Sequence, residues 1–196
     1  MASIGRANQR LRTRKALLEA AAALARTGAM PGLDKIAEAA LVSRATAYRY
    51  FPSVETLMAE AALDVAAPDP ETLFKDESGD PAARLIKADK ALDAMIDANE
   101  PALRAMLAQS LTARGPDSDA PRRQNRRSQL IDKALESARR DFRAADLKML
   151  KRALALILGT EARIVFKDVL EISDEEARAV KNWAIRNLIL AAEKKD

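Results

Sequence analysis

The chain of 196 residues is 48% hydrophobic, 32% charged and only 4% aromatic, and its 33 Lys/Arg against 29 Asp/Glu give a net charge of +4. The chain contains neither histidine nor cysteine, which excludes disulfides, zinc fingers and nucleophilic Ser-His or Cys-His sites. Its sequence also has no glycine-rich phosphate loop. This composition, rich in Ala and Leu, predicts an all-α, non-enzymatic protein with no cofactor or metal, and the lack of a long apolar run predicts a cytoplasmic location without membrane binding.

The first fifteen positions are basic and contain no acidic residue. Their five cations are Arg6, Arg10, Arg12, Arg14 and Lys15. The apolar stripe that follows predicts a first helix from about residue 10 to 27. A basic arm ahead of a helical unit is the electrostatic pattern expected for a nucleic-acid partner. The alternative is a disordered tail that only aids solubility.

Residues 33–51 predict two short helices joined by a tight connection, with Pro31-Gly32 before the first and Ser43 as the N-cap of the second. At 100° per residue, one arc of the second helix carries Arg44, Ala45, Tyr48 and Arg49. The other arc carries Ala47, Tyr50 and the stem of Thr46. Two guanidinium groups, a phenol and a methyl group are what a recognition helix needs in a major groove. A basic helix pair that is merely solvated is the alternative.

A fourth helix at about 53–66 completes the first predicted domain, which we place at residues 1–66. Pro and acidic residues between 67 and 80 mark a boundary. Residues 67–196 predict a second helical domain, with Asp80-Pro81 opening one helix that ends near residue 98 and Pro101 opening another. The basic residues within 122–127 are interpreted as a solvated face rather than as a second DNA contact.

The last two predicted helices, at about 144–170 and 173–194, are apolar on more than one side. Ser173 and Glu176 form the pattern of a capping box at the start of the final helix. A helix with two apolar stripes needs two partners. We expect one partner to be the chain's own core and the other to be a second copy in a homodimer. The alternative is a monomeric bundle in which both helices are central.

The sequence resembles the N-terminal domain of TetR-family transcriptional regulators in four stretches: Thr13-Arg-Lys-Ala-Leu-Leu-Glu-Ala-Ala21, Ile36-Ala-Glu38, Val42-Ser43 and Thr46-Ala-Tyr-Arg-Tyr-Phe-Pro-Ser53. The run from Ala153 to Glu161, Asp168-Val-Leu and Trp183-Ala-Ile-Arg186 resemble the end of many members. The resemblance implies an all-helical homodimer with an N-terminal helix-turn-helix domain and a C-terminal ligand-binding and dimerisation domain. It also implies that the third helix reads a palindromic double-stranded DNA operator and that a small ligand releases it.

Carried over by position, the resemblance makes Arg44 and Ala45 base readers. Its phosphate contacts fall on Ser43, Thr46, Tyr48 and Arg49, and arm contacts to the backbone or minor groove on Arg10, Arg12 and Arg14. The chain departs from the family pattern at Pro31-Gly32, at Val54 and at Leu41. At these places the family usually has a helix-opening Thr or Ser, a lysine and a turn glycine, so we expect weaker phosphate anchoring.

The effector site is less well defined by the sequence. Polar and large apolar residues on the C-terminal stripes are its candidates: Asp89, Met95, Met106, Ser110, Glu161 and Trp183. An acidic Asp89 or Glu161 facing an apolar cavity would favour a cationic ligand. Two other functions stay open, namely a helical ligand-binding or scaffold protein that has lost DNA binding and a carboxylate-dependent helical enzyme.

Overall fold

The computed structural model describes residues 2–26, 31–75, 79–112 and 125–193, with side chains from residue 9 onward except for Gln109 and Thr112. Within these ranges the chain is helical and has no strand, apart from one isolated bridge between Phe142 and Glu193. The predicted all-α fold is confirmed. Backbone contacts divide the chain into an N-terminal unit, residues 1–66 with 107–123, and a C-terminal unit, residues 67–106 with 124–196.

The described part of residues 1–66 contains four helices: α1 (Ala2–Ala25), α2 (Leu33–Ala39), α3 (Arg44–Tyr50) and α4 (Val54–Ala66). Helix α1 packs against α2 and α4, and α2 packs against α3. Their shared core includes Leu17, Ile36, Ala47, Phe51 and Leu57, each no more than 1% exposed. Helix α1 begins at Ala2 rather than near residue 10. Residues 2–9 include good helix formers, but they lack the apolar period on which the predicted start was based.

The described residues of the C-terminal unit form helices and helical turns that lie wholly within it, together with the first part of α7 (Glu100–Thr112). They are α5 (Pro70–Leu73), α6 (Pro81–Ala98), α8 (Arg126–Ala134), a 3₁₀ turn (Arg139–Asp141), α9 (Ala144–Ile157), α10 (Thr160–Ile164) and α11 (Asp174–Ala192). A π-helical turn at Val165–Val169 follows α10. Helix α6 packs on α8 and α11, and α9 packs on the same two helices.

Helix starts in this unit follow the predicted capping chemistry. The Asp80 carboxylate accepts hydrogen bonds from the backbone N–H groups of Ala82 (3.0 Å) and Ala83 (3.3 Å), with Pro81 in the first turn. Ser173 and Glu176 form the predicted capping box at the start of α11. Both caps satisfy backbone donors that a helix N-terminus would otherwise leave without partners.

The predicted single helix at 144–170 is wrong, because it breaks at Leu158 and Gly159. Gly159 adopts φ +106°, a conformation that L side chains rarely take. The Arg127 guanidinium fills the adjacent space, donating to the Ala155 carbonyl at 2.9 Å and pairing with Glu161. A Cβ at position 159 would lie 2.8 Å from Arg127 Cζ. The backbone conformation therefore favours glycine here, and a side chain at this position would also displace the end of Arg127.

None of the helices in the described ranges combines the length and the apolar character needed to cross a membrane.

Candidate DNA-binding surface

The turn between α2 and α3 brings the two helices together through backbone hydrogen bonds. The Val42 N–H donates to the Ala37 carbonyl, and the Leu41 N–H donates to the Glu38 carbonyl, both at 3.0 Å. Leu41 has φ +55° and is 93% exposed. A leucine therefore occupies a left-handed position that glycine adopts more easily, and its side chain gains no burial in return.

Ser43 caps the N-terminus of α3. Its Oγ accepts the Thr46 backbone N–H at 3.1 Å, and its hydroxyl lies 2.8 Å from the Thr46 Oγ1. This confirms the predicted N-cap. The two hydroxyls hold one another at the start of the helix, where backbone N–H groups and the helix dipole favour an anion such as a phosphate.

The two predicted arcs of α3 are confirmed by burial. Four side chains are exposed: Arg44, Ala45, Tyr48 and Arg49. On the opposite arc Ala47 is fully buried and Tyr50 is 8% exposed, with Thr46 half-buried at the boundary. The α3 helix is thus anchored by one face in the hydrophobic core and presents basic and aromatic groups on the other.

Arg44 contacts two neighbouring side chains on the exposed face. Its Nε lies 2.7 Å from the Asp34 Oδ1, and its guanidinium lies 5.7 Å from the centre of the Tyr48 ring. The hydrogen bond with Tyr48, and next the charge of Asp34, raise the pKa of Arg44 above its ordinary value. Asp34 was not predicted from the sequence as a partner of Arg44, although it lies in the first turn of α2.

The three arm arginines do not share one environment. Arg10 and Arg12 are exposed on α1. Arg14 is buried at 8% exposure, pairs with Glu60 of α4 and lies 4.5 Å from the centre of the Phe51 ring. The expected DNA contact of Arg14 does not fit this placement, because the guanidinium is enclosed by the N-terminal core. We therefore remove Arg14 from the candidate DNA contacts.

The departures at Pro31-Gly32 and Val54 are visible as local structure. Gly32 is the N-cap of α2 and supplies no side-chain hydrogen bond. Val54 is half-buried and packs on the N-terminal core, while the preceding Ser53 accepts the Thr56 N–H at 3.2 Å. Neither place offers the polar or cationic side chain that usually meets a phosphate in the family.

None of the six candidate effector residues lines either of the two cavities described below. Asp89 is buried and bound to Lys181 of α11 at 2.8 Å, and its burial raises its pKa to about 6, with Lys181 opposing and Asp93 adding to the shift. Glu161 pairs with Arg127, and the Ser110 hydroxyl donates to the Leu107 carbonyl at 2.8 Å. Met95 is buried, Met106 is half-buried and Trp183 is 68% exposed. The predicted role of these residues stays a prediction.

The described residues contain no cluster of three or more acidic side chains placed to hold a metal ion.

The N-terminal helices are similar to those of known proteins. Residues 17–61 match the family model of bacterial regulatory proteins of the tetR family. A TetR transcriptional regulator from Rhodococcus sp. RHA1 is 19% identical, with 95% of this chain and 98% of that chain aligned at a TM-score of 0.43. A protein from Shewanella sp. PV-4, assigned to the same family, is 17% identical over 93% and 99% at a TM-score of 0.39. A search of curated proteins returns no match.

Proposed function

We propose that this chain, whose residues 17–61 match the TetR-family model, acts as a homodimeric TetR-type repressor that binds a palindromic operator and releases it when a small ligand binds. Residues 1–66 would bind DNA, and residues 67–196 would bind ligand and dimerise. The observation that carries the proposal is the division of α3 into a buried face and an exposed face of Arg44, Ala45, Tyr48 and Arg49.

Each exposed group of α3 has a role that its chemistry supports. Arg44 can donate two parallel hydrogen bonds to a guanine edge, and Ala45 can contact a thymine methyl group. Tyr48 and Arg49, with Ser43 and Thr46 at the N-terminus of the helix, suit phosphate oxygens. Since Asp34 already restrains Arg44 at 2.7 Å, less side-chain freedom remains to be lost on binding.

Exposed apolar side chains support a homodimer. On α11 they recur at Val180, Trp183 and Leu190, opposite the buried Ala177, Ile185 and Ile189. Leu156 of α9 and Val169 of the π-helical turn are also exposed, at 78% and 69%. These exposed side chains fit the expectation that the final helix has apolar residues on two sides, and a second copy of the same helix is the simplest partner for them.

The DNA-binding part is tested by selecting bound sequences from random duplexes at two salt concentrations. We expect an enriched palindrome with half-sites about one helical turn, or 34–36 Å, apart. Arg44→Ala should relax the preference at one base pair of each half-site, whereas the matched change Arg178→Ala in the C-terminal unit should leave the selected sequence unchanged. Binding without sequence enrichment would instead favour a helical protein that has lost operator reading.

The dimer is tested by sedimentation of two matched variants. Trp183 and Val65 are both 68% exposed, the first on α11 and the second on α4. Trp183→Glu should place two carboxylates in the proposed interface and give a monomer, while Val65→Glu should leave the dimer intact. A dimeric Trp183→Glu protein would contradict the proposed interface.

A further inference from the structure

A cavity of about 570 Å³ lies between α8, the 3₁₀ turn and α9 of the C-terminal unit. Its volume falls within the roughly 300–1,000 Å³ typical of small-molecule sites. One face of α9 forms much of its lining, at helical spacing: Ala144, Leu147, Lys148, Lys151, Arg152 and Ala155. None of these residues was identified from the sequence as part of a ligand site.

The lining of this cavity is strongly positive. Four cations line it, Arg139, Lys148, Lys151 and Arg152, against the single carboxylate of Asp132. Asp132 is bound to Lys151 at 2.7 Å. Among the described residues, the other three cations have no ion-pair partner. The cavity is therefore lined by three cations that no ion pair among the described residues compensates.

The positions of these charges make an anion favourable. Lys148 and Arg152 lie four residues apart on α9, so they are neighbours on the helix surface and repel one another. Phe142 and Leu147, at 5% and 8% exposure, give the cavity an apolar wall. A bound anion would relieve the repulsion of the two cations, and an attached apolar group would bury against that wall.

A second cavity in the same unit shows that this charge imbalance is not general. It has a volume of about 230 Å³ and is lined by residues of α6, α10 and α11. Three carboxylates line it, those of Asp93, Asp97 and Asp174. Two of its four cations are paired within the protein, Lys181 with Asp89 and Asp93, and Arg163 with Asp97 at 2.7 Å. The same pairing neutralises Asp89, and Arg127 neutralises Glu161, so neither carboxylate supports the cationic ligand suggested by the sequence.

We propose that the cavity beside α9 binds a small organic anion, a carboxylate or phosphate that carries an apolar portion. Arg139, Lys148 and Arg152 hold the charged group, and Phe142 and Leu147 contact the apolar portion. As a binding site this assignment stands without DNA, while a role for the anion as the effector rests on the proposed function.

Calorimetry on the full-length protein tests the site with four probes that share one apolar chain: octanoate, octyl phosphate, octylammonium and octanol. We expect one or both anions to bind and the amine and the alcohol to bind at least about tenfold more weakly. The two anions distinguish a carboxylate site from a phosphate site. Equal binding of octanoate, octyl phosphate and octylammonium, or no binding of either anion, would overturn the proposal.

Two sets of variants locate the binding. The double change Lys148→Gln and Arg152→Gln should weaken anion binding about tenfold or more, whereas Lys90→Gln with Arg178→Gln in the second cavity should not. Ala144→Glu adds a carboxylate at the first turn of α9, where the helix tolerates an acid, and should also weaken binding. Unchanged affinity in a folded Ala144→Glu protein would overturn the site.

The calorimetry contains no DNA, so its result is separate from that of the duplex selection. Anion binding without an enriched operator would overturn the proposed function and leave this site in place. An enriched operator without anion binding would overturn this site alone.

Discussion

Replacing Glu60 by leucine is expected to lower the free energy of unfolding of the N-terminal unit by about 3 kcal/mol. Arg14 and Glu60 are 8% and 3% exposed and form an ion pair. Removing one member of a buried pair typically costs about 3–5 kcal/mol, because it leaves the other charge without compensation. The Phe51 ring, 4.5 Å from the guanidinium, keeps part of the attraction and places the expected loss at the lower end.

A double-mutant cycle separates the pair from the sites themselves. Arg14→Met should also destabilise the unit, but Arg14→Met with Glu60→Leu should lose less than the sum of the single changes, because no buried charge remains. We expect a coupling energy of about 2–3 kcal/mol. An additive double variant, or a Glu60→Leu loss below about 1 kcal/mol, would refute the assignment of Arg14 to the core.

The sequence provides the assay. Its two tyrosines, Tyr48 and Tyr50, lie in α3, and its one tryptophan, Trp183, lies in α11. Urea unfolding followed by tyrosine near-ultraviolet circular dichroism reports the N-terminal unit, and tryptophan fluorescence reports the C-terminal unit. Arg12→Met is the matched control, since Arg12 is exposed on the same helix: it should weaken DNA binding without changing the tyrosine transition.

Three further changes test the turn, the helix break and the buried acid. Leu41→Gly should raise the free energy of unfolding of the N-terminal unit, measured in urea, by about 0.5–1 kcal/mol, because glycine adopts a φ of +55° without strain. Leu41→Ala should not stabilise the unit. Equal effects of the two changes would contradict the strain argument. Gly159→Ala should destabilise the C-terminal unit by about 2–3 kcal/mol. The control Gly79→Ala should be near neutral, because nothing lies within 4 Å of its added Cβ. Similar urea midpoints for the two variants would contradict the preference for glycine at position 159. The pKa of Asp89 is about 6 in the folded protein and 3.8 ordinarily. Between these values the folded protein holds a proton that the unfolded chain has released. The contribution of this carboxyl to the free energy of unfolding should therefore fall by about 2–3 kcal/mol as pH rises from 4 to 6. Asp89→Asn should remove that fall from the pH dependence of the urea midpoint, and an unchanged pH dependence would contradict the assignment.

The sequence predicted local features of α3 because a single helical period determines them. Ser43, the two arcs and the burial of Ala47 and Tyr50 all follow from spacing within ten residues. Arg14 was predicted to contact DNA because of its charge, although its position also fits the apolar period of α1. It lies three residues before Leu17 and four before Leu18, so it continues the buried stripe of α1. Glu60 likewise lies between the buried Leu57 and Ala61 on α4.

The features that the sequence did not predict depend on contacts between distant segments. The break at Gly159 could not be predicted from the hydrophobic pattern, because apolar residues continue on both sides of it. The Arg127 side chain that fills the break lies 28 residues before its backbone partner Ala155. Asp89 was placed at the edge of a stripe, but its partner Lys181 is 92 residues away. Spacing within one helix contains no information about such pairs.

The different environments of the arginines determine the expected salt dependence of DNA binding. If Arg14 belongs to the core and Arg44 reads a base, three of the candidate DNA-binding arginines are left for phosphates in each subunit: Arg10, Arg12 and Arg49. Six such contacts in a dimer give a slope of log K against log[salt] of about −5, whereas counting Arg14 and Arg44 as phosphate contacts would give about −9. A measured slope near −9 would mean that the buried pair opens when DNA binds. A slope near −5, reduced by about 2 in the Arg12→Met dimer and unchanged in a folded Arg14→Met dimer, would establish that one arginine of the arm supports the reading helix from within the core.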